Sequence, residues 1–312
     1  MAARQGSAAT LKVFGMTTLN HLEALEAEAI HILRDGVSAA KNPVLLFSAG
    51  KDSTVLAHLA LKAFYPSVPP LELLHVDSTW EYPELCEFRD NFAKKHGFRL
   101  KVFANEEGRA QGLNPIDHGD TYTRIMRTEA LKKALDDGKY DVIFGGARRD
   151  EEKSRAKERI VSVRSANHGW DPKNQRPELW SIYNWTLAPG QTLRAFPLSN
   201  WTEQDIWSYI IKEDLELAPL YYAKKRPVID LDGMDIYIAE NKRLESLNGY
   251  DVTEKSVRFR TLGCWPVTAA ADSEAATAKD ILKETLLDKG SERRGRVSDS
   301  GSLETEKRNG YF

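Results

Sequence analysis

Apolar residues along this 312-residue chain recur with two different periods. From Leu22 to Leu33, the residues Leu22, Leu25, Ala29, Ile32 and Leu33 share one face of a 3.6-residue helix, and Asn20 with Glu23 has the spacing of a capping pair. Beyond that helix the apolar residues gather in short runs at Pro43–Phe47, Leu71–Val76, Arg99–Phe103, Tyr140–Phe144 and Thr192–Phe196. Helical patterns lie between them at Ser53–Phe64, Pro83–His96 and Tyr122–Asp136, with Gly97 and Gly138 placed as C-cap residues. Strands that are apolar almost throughout, alternating with helices, predict a sheet buried on both faces. The predicted fold class is therefore α/β: a doubly wound, mainly parallel five-stranded sheet of Rossmann-like type. Ligands of such sheets bind beyond the carboxyl ends of the strands, where strand order reverses.

Past Ser199 the alternation stops. Thr202–Lys212 reads as a helix with Thr202 as N-cap, and a loop-rich C-terminal extension follows. The chain divides into an N-terminal helical segment (1–40), an α/β domain (41–199), an extension completing the site (200–289) and a tail rich in Ser, Gly, Arg and Glu (290–312), expected to be mobile. Composition narrows the function classes. Charged residues make up 29% of the chain, yet the net charge is only -2 with both signs dispersed, which argues against a general nucleic-acid binder and requires any anion site to be local. No run approaches the roughly 20 apolar residues of a bilayer helix. Met1–Met16 has no apolar core of a secretory signal, so the expected location is the cytoplasm. Cys86 and Cys264 form no C-x-x-C or Cys/His cluster and read as two inert, buried thiols.

The residues after each strand carry the candidate chemistry. After the first stands Ser48-Ala49-Gly50-Lys51-Asp52-Ser53-Thr54, opening into a helix. A small-residue loop there lets backbone N–H groups converge on a phosphate, although glycine can also serve the turn alone. Lys51, expected to be exposed on the loop, is a cation at a helix N-terminus, which opposes the dipole and calls for an anion. The loop is neither a Walker A motif nor a Gly-x-Gly-x-x-Gly dinucleotide fingerprint. Asp77, ending the second strand, can orient a ribose hydroxyl, a metal-bound water or only the turn. The fourth strand runs into Gly145-Gly146-Ala147-Arg148-Arg149-Asp150-Glu151-Glu152-Lys153-Ser154-Arg155-Ala156-Lys157-Glu158-Arg159. Glu151 and Arg155, at i,i+4, would suit a solvated helix. The Gly-Gly entry and the place at the ligand edge instead favour forked donors for tetrahedral oxyanions.

Ser48-x-Gly50-Lys51-Asp52-Ser53 resembles the pyrophosphate-binding loop of the ATP pyrophosphatase superfamily, with Ala49 where those enzymes usually carry glycine. His75-Val76-Asp77-Ser78-Thr79 resembles the Val-Asp-Thr element of members that handle adenylyl sulfates. Together with Trp170–Trp180, Phe196–Trp207 and Val257–Pro266, these stretches are similar to the small subunit of bacterial heterodimeric sulfate adenylyltransferase, from about residue 18 to the terminal Gly310-Tyr311-Phe312.

The resemblance implies an adenine nucleotide α-hydrolase-like fold and transfer of the adenylyl group of ATP to sulfate with release of pyrophosphate. It also implies Mg2+ with the ATP, no redox cofactor, and a separate GTPase large subunit that drives an uphill anhydride synthesis. The β- and γ-phosphates are assigned to Gly50–Ser53 with Ser48, Ser53 and Lys51, and Asp77, Gly145 and Gly146 to the rest of the nucleotide. Arg148, Arg149 and Arg155 are the catalytic candidates beside Lys51. Sulfate is assigned to the same three arginines with Lys153 and Arg159, and Asp52 reaches the metal through water. An adenylyl-sulfate reductase would need a reactive cysteine near the C-terminus, and none follows Cys264. A noncatalytic regulator of the GTPase would leave Ser48, Lys51, Asp52 and the arginines no role beyond binding.

Overall fold

The computed structural model describes residues 19–151, 155–231, 233–238 and 249–287; the tail at 290–312 and Lys153 lie outside the described residues, as does the Arg155 side chain. Helix α1 (His21–Ala39) starts at a reciprocal capping box, Asn20 accepting from the Glu23 N–H and Glu23 from the Asn20 N–H. Then follow β1 (Pro43–Leu46), α2 (Lys51–Phe64), β2 (Glu72–Asp77), α3 (Pro83–His96), β3 (Leu100–Ala104), α4 (Glu106–Ala110) and α5 (Pro115–Thr123). A π-helical turn (Arg124–Glu129), α6 (Ala130–Gly138), β4 (Val142–Phe144), β5 (Val161–Arg164), β6 (Thr192–Ala195) and α7 (Glu203–Glu213) come next. All five strands expected from apolar runs are present. The predicted helix at 122–136 is instead interrupted by the π turn, a feature that often marks functional positions. Gly97 is the left-handed C-cap of α3, whereas α6 ends in a left-handed Lys139. Gly138 is favoured for another reason: a Cβ there would run into the Tyr140 ring.

Among the described residues the main sheet has six strands rather than five, in the order β3-β2-β1-β4-β6-β5. Neighbours from β3 to β6 are parallel, and β5 is added antiparallel to β6. The extra strand is only four residues long and follows a charged run, so no periodic signal announces it. Its outer edge is closed by side chains. Glu178 accepts from the Ile160 and Val161 N–H groups, and Gln175 both accepts from Val163 N–H and donates to its carbonyl. An amide and a carboxylate thereby protect an edge that could pair with another chain.

Strand order reverses between β1 and β4, which puts their two carboxyl ends side by side. One face of the sheet presents Leu45, Phe47, Leu73, Val142, Phe144, Leu193 and Ala195 to α1, α2, α3 and α7 in the main core. The other presents Val44, Leu74 and Ile143 to Ala134 and Leu135 of α6. Register continues this second face across β6 and β5 through the rungs Ile143↔Arg194 and Arg194↔Ser162, so its far half is polar.

The extension, expected to be loop-rich, folds instead into a four-stranded antiparallel sheet, β7 (Lys224–Leu231), β8 (Met234–Tyr237), β9 (Thr253–Arg258) and β10 (Ala271–Asp272), in the order β10-β9-β7-β8, and ends in α8 (Ala278–Leu287). Lys224-Lys-Arg-Pro-Val-Ile-Asp-Leu has poor strand propensity. Arg226, 5% exposed, compensates by donating to the carbonyls of Pro219, Tyr222 and Val257 while lying over the Tyr237 ring. The main core draws on residues from Leu25 to Ile281, so the extension and the sheet share it. Among the described residues no helix is long and apolar enough to cross a membrane.

Gly36 tests the packing of α1. A Cβ there would lie 2.7 Å from Phe144 Cζ and 2.7 Å from Trp185 Cη2, and Trp185 is pinned by its Nε1–H bond to Asp35. Helix propensity alone would favour alanine by about 1 kcal/mol, but overpacking costs about 1–3 kcal/mol and should win. Gly36→Ala is expected to lower the urea midpoint with an unchanged m-value.

Candidate functional site

The carboxyl ends of β1 and β4 open into a crevice of about 390 Å3. That is a size suited to a nucleotide-sized ligand. The loop after β1 forms one wall. Ala49 takes φ +57°, the left-handed conformation that a glycine adopts without strain, and Gly50 caps α2 with no side-chain bond. Ser53 Oγ donates to the Gly50 carbonyl at 3.0 Å and lies 3.3 Å from Ser48 Oγ, so two hydroxyls converge at the helix entrance. The Lys51 N–H donates to the Tyr221 hydroxyl at 2.8 Å, which brings a residue of the extension to the loop.

Lys51 is not exposed, contrary to the expectation from sequence: it is 1% accessible, and its ammonium donates to Asp52 Oδ2 at 3.1 Å. The other carboxylate oxygen, Oδ1, accepts from Arg148 Nε at 2.5 Å. Burial would raise the Asp52 pKa, but the charges of Arg148 and Lys51 and their hydrogen bonds outweigh it and hold it at about 2. Gly145 and Gly146 line the opposite wall. A Cβ on Gly146 would come within 3.1 Å of the Asp52 carbonyl carbon and the Ser53 nitrogen, so this glycine lets β4 approach the loop backbone.

The arginine segment is distributed differently from the expectation. Arg148 has a side chain 0% exposed, engaged with Asp52 and, at 3.5 Å, Asp150; it does not present its fork to the crevice. Arg149 turns to the Glu158 carbonyl and, at 2.6 Å, to Asn200, and is not among the lining residues. Arg159 is exposed and does not line the crevice either. Asp77 accepts from the Thr79 N–H at 2.6 Å in a turn where Thr79 has φ +67°, and it too is off the crevice wall.

Sequence reading missed the guanidinium groups that do line the crevice: Arg127 on the π turn, Arg194 on β6 and Arg164 on β5. A charged residue inside an apolar strand, as in Thr192-Leu-Arg-Ala-Phe196, was the available signal. Register separates their roles. Arg194 is level with Ile143 and hence with Val44, four residues before Ser48, or about 13 Å along the strand. Arg164 pairs with Thr192, two residues further from the loop, and its guanidinium bonds the buried Glu158 carboxylate. It belongs to the remote, charge-compensated end. His75, Tyr221 and Thr261–Gly263 also line the crevice, the last from the extension. The His75 Nδ1–H donates to the Phe47 carbonyl at 2.8 Å, leaving Nε2 as an acceptor in the neutral ring.

Residues 42–270 match the Phosphoadenosine phosphosulfate reductase domain family. Sulfate adenylyltransferase subunit 2 of Citrifermentans bemidjiense is 57% identical over 300 residues, covering 95% of this chain and 99% of that protein. Its counterpart from a Chelativorans strain is 56% identical over 94% of this chain. This chain belongs to the sulfate adenylyltransferase subunit 2 family. Among solved structures, Candida glabrata FMN adenylyltransferase with FAD and inorganic pyrophosphate is similar at TM-score 0.47 and 15% identity, over 90% of this chain and 93% of that one. The family resemblance carried by the loop and the three aromatic stretches is thus borne out.

The thiols stay outside the chemistry of the crevice. Cys264 is buried as expected, whereas Cys86 is half-buried, with burial outweighing the Arg89 charge and pushing its pKa up to about 11, away from the thiolate form of a reactive cysteine. Gly146→Ala should displace the loop by a few tenths of an ångström. We expect at least a roughly 10-fold weaker affinity for inorganic pyrophosphate by calorimetry, with the melting temperature shifted by no more than a few degrees.

Proposed function

We propose that this chain is the ATP-handling catalytic subunit of a sulfate adenylyltransferase, converting ATP and sulfate to adenylyl sulfate and pyrophosphate. Kinship with subunit 2 proteins over nearly their whole length carries this reading, and the phosphate-loop crevice supports it. A sulfate oxygen attacks the α-phosphorus, the bond from that phosphorus to the bridging oxygen breaks, and pyrophosphate leaves with the electron pair. No covalent nucleophile on the protein is needed, and neither thiol is among the residues that line the crevice.

The β- and γ-phosphates are assigned to the Ser48 and Ser53 hydroxyls, the N–H groups of Gly50–Ser53 other than that of Lys51, which Tyr221 takes, and the Lys51 ammonium, with Gly145 and Gly146 giving the nucleotide close approach to the backbone. Sulfate and the charge developing at the α-phosphate are assigned to the lining Arg194, nearer the loop than Arg164, and to Arg127 of the π turn, in place of Arg148 and Arg149. Preorganised donors in a site shielded from water give such chemistry its strongest stabilisation. Mg2+ is expected to come with the ATP. Among the described residues no three His, Cys, Asp or Glu side chains stand together as a metal cage, and both Asp52 oxygens are already bonded, so no step is assigned through the metal. The subunit 2 name of the relatives points to a second subunit. We take it to be the GTPase that the sequence resemblance implies, supplying the energy for an anhydride formed uphill.

The test is sulfate-dependent release of pyrophosphate from ATP, with and without the GTPase subunit; none in either case would end this assignment. Lys51→Ala should lower kcat/KM for ATP by about 10- to 100-fold, the scale of a lost charge-assisted hydrogen bond. Arg194→Gln should raise the KM for sulfate at least about 10-fold while the KM for ATP stays within a factor of two or so. Equal shifts in both constants would place Arg194 on the nucleotide instead.

A further inference from the structure

A line of charged side chains, bridged at one point by a backbone N–H, joins the two walls of the crevice. It starts at the Lys51 ammonium, 3.1 Å from Asp52 Oδ2, and passes from Asp52 Oδ1 to Arg148 Nε at 2.5 Å. Arg148 Nη1 lies 3.5 Å from Asp150 Oδ2, and that same oxygen accepts from the Glu203 N–H at 3.2 Å, at the first residue of α7. The Glu203 carboxylate then accepts from Arg260 Nη2 at 2.7 Å and Nε at 3.3 Å. Arg260 directly precedes Thr261–Leu262–Gly263, the stretch of the extension that lines the crevice.

Half of this line is dry, with Asp52 and Arg260 22% and 19% exposed. The Lys51 and Arg148 side chains are 1% and 0% exposed and Glu203 is 9%, so their contacts act in a low dielectric, where a lost partner leaves a costly buried charge. The link at Asp150, 52% exposed, is the most screened, but it is reinforced by the positive end of the α7 dipole. Signs alternate from Lys51 to Asp150; the next link is the Glu203 backbone N–H, and the Glu203 carboxylate is in turn paired with Arg260.

We infer that Arg148 is a positioning residue: with Asp52, Asp150 and Glu203 it fixes where the Lys51 ammonium points and ties that position to the Arg260–Gly263 wall. While Arg148 occupies Oδ1, Asp52 can offer Lys51 only its other oxygen, and the ammonium, which carries three donors, is not drawn wholly onto the carboxylate. Without Arg148 both oxygens can turn onto Lys51, drawing its charge away from the phosphates. Loss of Glu203 or Arg260 at the far end loosens the same arrangement from a distance. The inference rests on the reading that ATP binds at the loop.

The test uses the full chain and equilibrium binding of a non-hydrolysable ATP analogue, a readout that needs no sulfate chemistry. Glu203→Gln keeps the side-chain shape and should weaken the analogue by about 5-fold, as should Arg260→Gln, at positions assigned no contact with it. Arg148→Gln should weaken it about 10-fold or more, and Arg148→Lys should rescue little because an ammonium cannot serve two carboxylates in fixed directions. In a Lys51→Ala background the Glu203→Gln effect should vanish, since the relay then has nothing to position. An effect that persists undiminished in that background, or that appears only as a lower melting temperature, overturns the relay. If Arg148→Gln does not fold, Glu203→Gln alone decides. A chain that binds the analogue as predicted but releases no pyrophosphate with sulfate would refute the proposed activity and leave the relay standing; a wild-type chain that does not bind it refutes the relay.

Discussion

A buried lysine at the start of a helix is the constraint around which this molecule is built. Lys51 sits at the first position of α2 with 1% exposure, where the helix dipole repels a cation and burial strips its hydration. The adjacent carboxylate of Asp52 offsets both penalties only if it is held in place. Residues next to each other on a helix do not face one another, so the holding must come from elsewhere. It comes from Arg148, 96 residues away in sequence. That one contact requires β4 to sit beside β1, requires the β4 exit to approach the loop backbone, and so requires Gly146.

Once Arg148 is turned inward to Asp52, the chain after β4 has to be led back over the sheet. Arg149 clasps the two ends of this excursion, bonding the Glu158 carbonyl on the way back, and the chain re-enters as β5. The edge thus formed is sealed by Gln175 and Glu178, and the same connection continues to Tyr183 and Trp185, which pack on α1. The extension answers the loop from the other side: Tyr221 accepts the Lys51 N–H, and Arg260 reaches Glu203 at the start of α7. Fold and site are therefore a single arrangement of charges in which the sheet supplies the spacing.

How much of this is legible in the sequence follows from the range of the interactions involved. The five apolar strands, the Asn20–Glu23 and Thr202 caps and the loop after β1 depend on residues within a few positions of one another, and local pattern reveals them. β5 and the second sheet do not. The edge of β5 is satisfied by side chains 12 to 18 residues on, and β7 tolerates Lys224-Lys-Arg-Pro because Arg226 finds three carbonyls and a tyrosine ring. Arg148 and Arg149 look alike in sequence, and no local signal says that one meets a carboxylate across the sheet and the other an asparagine near α7. The crevice arginines were hidden for the converse reason, because Arg194 reads as an interruption of a strand rather than as part of a site.

A cluster of arginines marks an anion site only so far as its charges are left uncompensated. By that measure the run from Arg148 to Arg159 is weaker than it looks, since Arg148 faces two carboxylates and Arg149 a carbonyl and an amide. Arg164 is likewise matched by Glu158 at the remote end of the crevice. A divalent anion entering there would have to displace a buried carboxylate, at a desolvation cost that its own attraction to the guanidinium barely recovers. Near the loop the balance differs. Lys51 and Arg148 share the Asp52 carboxylate, and Arg148 also faces Asp150, so the charges there are shared among several partners rather than closed in one pair. Arg194 and Arg127 line the crevice from a strand and a π turn. Rigid supports matter as much as charge, because a donor held by a strand spends no reorganisation when negative charge develops before it. The choice of Arg194 and Arg127 over Arg164 as partners for an anionic substrate therefore rests on the supports that hold them and on the closed Arg164–Glu158 pair at the far end.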